Sequence, residues 1–150
     1  MKLATALSER ADLQRRISEL SVRLNNNAKV QEGEEPAENP LELLKELDAC
    51  LKRLEELVAR INKTNNETKA DGLTITDLIA RRDCLKQRVS IMRGFLDASS
   101  EKVSRYSKTE IRVFSTVPVA DLQKQVDAFS KQLRETDETI QGLNWMTELM

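Results

Sequence analysis

The 150-residue chain carries 24 basic and 25 acidic residues and no histidine. Near-neutral charge removes the electrostatic ground for broad attraction to nucleic acid or an anionic membrane, and the lack of histidine removes the commonest general base and metal ligand. With four glycines, three prolines and 33% charged residues, the composition favours long helices over a β sandwich or an α/β sheet.

Apolar residues recur at alternating spacings of three and four, the pattern of helices that hide one edge against another helix. The first segment, about residues 3–25, runs Leu3, Ala6, Arg10, Leu13, Ile17, Leu20, Leu24 and is stopped by Asn25–Asn27, since Asn tolerates a left-handed helix end. The second, about 40–66, opens on a cap, a first-position proline and an acid: Asn39, Pro40 and Glu42. Its seam reads Leu44, Leu47, Leu51, Leu54, Val58, Ile61, and a further column of Leu43, Cys50 and Leu57 widens the stripe. A wider stripe suits a helix with two neighbours. The third, about 75–106, opens on a capping-box pair, Thr74 and Asp77, and continues through Leu78, Arg82, Leu85, Val89, Met92 and Leu96. The fourth, about 119–148, follows Pro118 and Asp121 and runs Leu122, Val126, Phe129, Leu133, Thr136, Ile140, Leu143.

Short links make neighbouring helices antiparallel. The expected architecture is all-α: one domain over residues 1–150, of four long antiparallel helices in two αα-hairpins, a coiled-coil-like bundle. Two loops interrupt it. Residues 28–38 are acidic, and residues 107–118 hold Ile111, Val113, Phe114 and Val117. This β-branched run is compatible with a minor two-stranded β patch paired to Lys29–Gln31. A faint internal repeat aligns Arg10, Leu13 and Ile17 with Arg82, Leu85 and Val89, as two related hairpins would produce.

Three groups stand out as candidate sites. Arg10 and Arg82 occupy seam positions where an apolar residue is expected, and a charge there needs a partner. Asp12 and Asp83 are the nearest carboxylates in sequence, with Asp48 and Asp127 further candidates. The arrangement reads either as an ion-pair network that sets helix register or as a small-anion site, since a guanidinium fits carboxylate or phosphate bidentately. Asn62, Asn65, Asn144 and Trp145, with Thr64 and Thr147, fall where the second and fourth helices end, as caps or as a shared polar pocket. Arg105, Tyr106, Lys108 and Arg112 form the most basic stretch, and the interspersed Glu101 and Glu110 keep it short of a nucleic-acid stripe.

No P-loop, dinucleotide glycine loop, nucleophile elbow or zinc helix is present; no catalytic residue, metal or cofactor is assigned. Cys50 and Cys84 are too few and too far apart for a disulfide framework. No stretch approaches the roughly 20 apolar residues of a membrane span, and Ser8, Glu9 and Arg10 interrupt any leader-like run, so a cytoplasmic chain is expected. Sustained three-four spacing with few large aromatics predicts a self-partner, as a dimer or hexamer, with no nucleic-acid or membrane partner.

The strings Arg10-Ala11-Asp12-Leu13-Gln14, Asn27-Ala28-Lys29-Val30-Gln31-Glu32-Gly33, Arg60-Ile61-Asn62, Arg105-Tyr106-Ser107, Leu122-Gln123-Lys124-Gln125-Val126 and Leu143-Asn144-Trp145 resemble those of small bacterial proteins labelled septicolysin-like. The resemblance spans nearly the whole chain. It implies a helical protein, and the label implies a thiol-sensitive, membrane-lysing activity. An interaction protein, a small-ligand binder and a cytolysin are thus the three functional expectations.

Overall fold

The computed structural model describes residues 1–100 and 111–150. It contains four helices, α1 (Leu3–Asn26), α2 (Pro40–Glu67), α3 (Ile75–Ser100) and α4 (Val119–Met146), with a two-stranded sheet of β1 (Lys69–Ala70) and β2 (Leu73–Thr74). The expected extension of the third helix to residue 106 lies outside the described residues. The chain divides into two compact units, Met1–Ile75 with Gly142–Met150, and Thr76–Gln141.

The first unit is built on the α1–α2 hairpin. Leu20 of α1 packs with Leu43 and Cys50 of α2, and Leu13, Ile17, Leu24 and Leu47 surround them. Leu3, Ala6, Leu57, Ile61 and Thr64 are buried further along the two helices. α1 ends at Asn27 by side-chain bonding and not by a left-handed residue, since Asn27 has φ −109°. Its Nδ2 donates to the Arg23 carbonyl at 2.8 Å, and its Oδ1 accepts from the Glu38 backbone N–H at 3.0 Å. One amide thus closes the helix and pins the far end of the acidic loop. The start of α2 is as the residue types dictate. Asn39 Oδ1 accepts from the Leu41 N–H at 3.0 Å, and Pro40 takes the first helical position, where no N–H is needed.

The strand pair is not where the loops placed it. Residues 28–38 and 111–118 contain no strand; instead Lys69 pairs with Thr74 and Ala70 with Leu73. Asp71 and Gly72 both have positive φ, 51° and 82°, as a two-residue type I′ turn requires, and Asp-Gly is a preferred sequence for it. The hairpin ends where the Ile75 N–H donates to the Thr68 carbonyl at 3.0 Å, leading straight into α3.

The same unit holds the two ends of the chain side by side. Lys2 and Glu148 form an antiparallel bridge. The Leu3 N–H donates to the Thr147 carbonyl at 2.9 Å, and the Leu149 N–H donates to the Met1 carbonyl at 2.8 Å.

The second unit is the α3–α4 hairpin. Val89, Leu96 and Val126 form its buried centre, with Met92, Val119, Leu122 and Phe129 packed around them. The Arg88 guanidinium lies 4.7 Å above the Phe129 ring, a cation–π arrangement. Arg93 Nη2 donates to Ser130 Oγ at 3.2 Å.

Candidate functional site

One edge of the α1–α2 hairpin is closed by charge. Arg16 Nε donates to Glu46 Oε1 at 2.8 Å, Arg53 grips Glu9 with Nε at 2.6 Å and Nη2 at 3.1 Å, and Arg53 Nη1 also reaches Glu56 at 2.9 Å. Arg23 forks onto Glu38 at the loop end. These contacts settle which side of the wide α2 stripe faces α1: Leu43, Cys50, Leu57 and Ile61 turn inward and are buried. Two leucines of the leading column do not. Leu44 and Leu51 remain 48% and 46% exposed, with Leu47, Leu54 and Val58 half-buried beside them. An outward strip through Leu44 and Leu51 is left along one helix, and sequence spacing places those same leucines in the seam.

The ion pairs also shift proton affinities. Hydrogen bonds from Arg53, aided by its charge, hold the Glu9 carboxyl below the usual carboxylate range against partial desolvation. Arg23 lowers Glu38 likewise, and hydrogen bonds from Lys2 and the Met1 amino group lower Glu148. A depressed folded value means the stabilisation is present above the ordinary value of 4.5 and is lost as pH falls through the folded value. The urea midpoint should therefore drop as pH falls below 4.5, and Glu9→Gln with Glu38→Gln should flatten the decline. A midpoint that rises on acidification would contradict the assignment.

The sequence-selected arginines have different surroundings. Arg82 Nε and Nη2 meet Asp83 Oδ1, both at 3.1 Å, and Nη1 lies 3.7 Å from Asp137. The Arg10 Nε is buried with no hydrogen-bond partner. Asp12 pairs with Arg15, one turn along α1, because residues two apart on a helix point to different sides. Asp48 pairs with Lys52 at 2.8 Å, and Asp127 accepts from Gln123.

Of the polar end group, Asn144 is buried, Asn65 half-buried, and Asn62 and Trp145 exposed. The residues that tie α2 to the C-terminal segment are Thr64 and Arg60. Thr64 Oγ1 donates to the Arg60 carbonyl at 2.9 Å and accepts from the Met150 N–H at 3.0 Å. Arg60 Nε donates to the Met150 carbonyl at 2.8 Å. Sequence reasoning missed Arg60, which lies next to the buried Ile61 and carries no local signal of a partner 90 residues away. In the basic stretch, Arg112 is exposed, and Arg105, Tyr106 and Lys108 lie outside the described residues.

Depressions on the described surface include one on each helical hairpin. One, of about 580 Å³, is bordered by Arg23, Glu38, Asn39, Glu42, Lys45 and Glu46, where the charges oppose one another. The other, about 260 Å³, lies on the α3–α4 hairpin among Lys86, Arg93, Ser130, Arg134 and Asp137. Neither brings together a nucleophile, a base and an orienting group of the kind acyl transfer needs.

A family model described as "Family of unknown function (DUF6847)" matches residues 10–149. The chain is similar, at 42% identity and TM-score 0.91, to a functionally unknown conserved protein from Corynebacterium diphtheriae, with 100% of this chain and 99% of that one covered. No curated protein matches it. These findings correct the septicolysin-like resemblance: the family and the structural relative that match carry no such description. Strings such as Leu122-Gln123-Lys124-Gln125-Val126 reflect heptad constraints that many helical families share. Among the described residues, no helix is long and apolar enough to cross a membrane.

Proposed function

We propose, for a chain that belongs to the family of unknown function (DUF6847), a non-enzymatic role as an interaction protein that associates with copies of itself through the outward face of α2. The observation that carries this reading is the half-exposed pair Leu44 and Leu51, in line with Leu47, Leu54 and Val58. A second helix laid along such a stripe makes a coiled-coil seam, each leucine entering a hole between four residues of its neighbour. Leu41 extends the column at its start and is exposed as well. Covering a leucine side chain contributes about 1.5–3 kcal/mol when the whole side chain leaves water, so two half-exposed leucines and their half-buried neighbours supply several kcal/mol toward association.

The competing small-anion reading draws less support. Carboxylates already meet Arg82, and neither surface depression is lined by Arg10 or Arg82.

Sedimentation velocity from 1 to 100 μM tests the proposal. The wild-type chain should sediment as a dimer or larger species. Leu44→Lys with Leu51→Lys should raise the dissociation constant at least 100-fold while leaving the far-ultraviolet circular dichroism unchanged, because neither residue is in the buried column. A wild-type chain that stays monomeric at 100 μM ends this reading.

A further inference from the structure

The depressions on the two hairpins differ in how their charges are used. Around the one on α1–α2, Arg23 pairs with Glu38, Lys45 with Glu42, and Glu46 with Arg16. The one on α3–α4, about 260 Å³, is lined by three cations, Lys86, Arg93 and Arg134, and a single carboxylate, Asp137. Neither Lys86 nor Arg93 is in an ion pair among the described residues. Arg134 lies 3.9 Å from Glu138, beyond hydrogen-bond reach, with both side chains well exposed. A pair of that kind contributes little.

Helical spacing arranges these groups in two facing columns. Lys86, Ser90 and Arg93 share one side of α3, and Ser130, Arg134 and Asp137 share one side of α4. Arg93 Nη2 donates to Ser130 Oγ at 3.2 Å, and Arg82 lies 3.7 Å from Asp137. The helices are thus antiparallel, and the lining carboxylate sits at the Arg82 end, where its charge is met. The opposite end offers two guanidinium groups and a hydroxyl. Asp97 and Asp127, a turn beyond it, do not border the depression, and Asp127 accepts from Gln123.

Ser130 is set apart from other helical hydroxyls of the chain. Ser8, Ser18, Thr136 and Thr139 each donate to the carbonyl four residues back, the usual local partner. Ser130 is turned instead toward Arg93. An oxygen that accepts from a guanidinium keeps its own proton to donate, and Arg93 keeps its remaining N–H groups.

We propose that the Arg93–Ser130–Arg134 end of this groove binds a phosphate group, free or as a small monoester. Guanidinium forks match phosphate oxygens bidentately, and the Ser130 hydroxyl donates to a further oxygen. Lys86 adds positive charge from two turns back along α3, and a concave surface of one sign concentrates anions. Val89 and Leu133 line the same depression and offer hydrocarbon to the organic part of an ester. A volume below the roughly 300–1,000 Å³ of drug-sized pockets keeps the ligand small. The site uses neither Arg10 nor the outward strip of α2, so it stands apart from self-association.

The test is isothermal titration calorimetry on the full chain with inorganic phosphate, phenyl phosphate and acetate, at an ionic strength held constant with chloride. Wild type is compared with Arg93→Gln, Arg134→Gln, Ser130→Ala and Lys124→Gln. The wild type should bind phosphate saturably. Arg93→Gln and Arg134→Gln should each weaken binding at least about 10-fold, the scale of a lost charged hydrogen bond, and Ser130→Ala should weaken it by about 3-fold or more. Circular dichroism should not change in the arginine variants, since both residues are exposed. Lys124→Gln, outside the groove, should bind as wild type does. Phenyl phosphate binding more tightly than inorganic phosphate supports the site as one for a monoester, and equal or weaker binding supports it as one for the free ion. No saturable binding, acetate binding as tightly as phosphate, or phosphate affinity unchanged in both arginine variants would overturn the proposal.

Discussion

Leu57→Ala should destabilise the first unit by about 2–5 kcal/mol, whereas Leu51→Ala, six residues earlier on the same helix, should cost less than about 1 kcal/mol in the isolated chain. Leu57 is 0% exposed and Leu51 is 46% exposed. Truncating Leu57 loses the transfer free energy of its buried methyl groups and leaves a cavity that surrounding side chains fill only in part. Truncating Leu51 removes atoms already half in water. The comparison is made by urea denaturation at sub-micromolar concentration, where association contributes nothing to the midpoint. The self-association proposed for the outward column predicts that at high concentration Leu51→Ala becomes the more sensitive of the two to dilution. Equal costs for the two variants at low concentration would show that the inward and outward columns of α2 have been misassigned.

Val126→Asp should unfold the second unit or lower its stability by about 3–5 kcal/mol. Val126 is 1% exposed and sits with Val89 and Leu96. Nothing in that cluster can accept or donate a hydrogen bond through its side chain, so a carboxyl there must either stay charged and unpaired or take up a proton at a raised pKa. Aspartate is already tolerated one residue further on, at Asp127, which is exposed and accepts from Gln123. A control variant, Lys124→Asp, puts the same group on the exposed side of α4 and should change stability by no more than about 0.5 kcal/mol. Thermal unfolding followed by circular dichroism separates the outcomes. A Val126→Asp midpoint equal to that of Lys124→Asp would mean that the α3–α4 hairpin is not packed through this cluster.

How much was legible differs from residue to residue. Asn39-Pro40 announces the start of α2 because both residue types act through their own backbone and near neighbours. Asp71-Gly72 was equally legible, since positive φ at two successive positions is what that dipeptide supplies. The strands it joins are two residues each, too short to show an alternating pattern. The apolar run around Ile111–Phe114 has the residue types of a strand, and the structure leaves it without a ladder. At the candidate sites, Arg82 lies beside Asp83, so proximity in the chain sufficed to name that partner. Arg16–Glu46 and Arg53–Glu9 join residues 30 and 44 apart, and nothing local distinguishes those charges from the solvated ones around them.

The sequence by itself determined that the chain is helical, where each of its four helices begins and where the first two end, and that α2 carries a wide apolar stripe. These follow from spacing, capping chemistry and the conformational limits of proline, asparagine and glycine, all of which act over a few residues. Only the tertiary structure decided which leucine column of α2 turns inward. Two columns about 100° apart on one helix are equivalent until a partner helix, and the ion pairs at its edge, break the tie. It alone also decided that Lys2 pairs with Glu148 and that Arg60 and Thr64 receive the C-terminal segment, because hydrogen bonds between distant backbones depend on where the chain returns and leave no periodic trace.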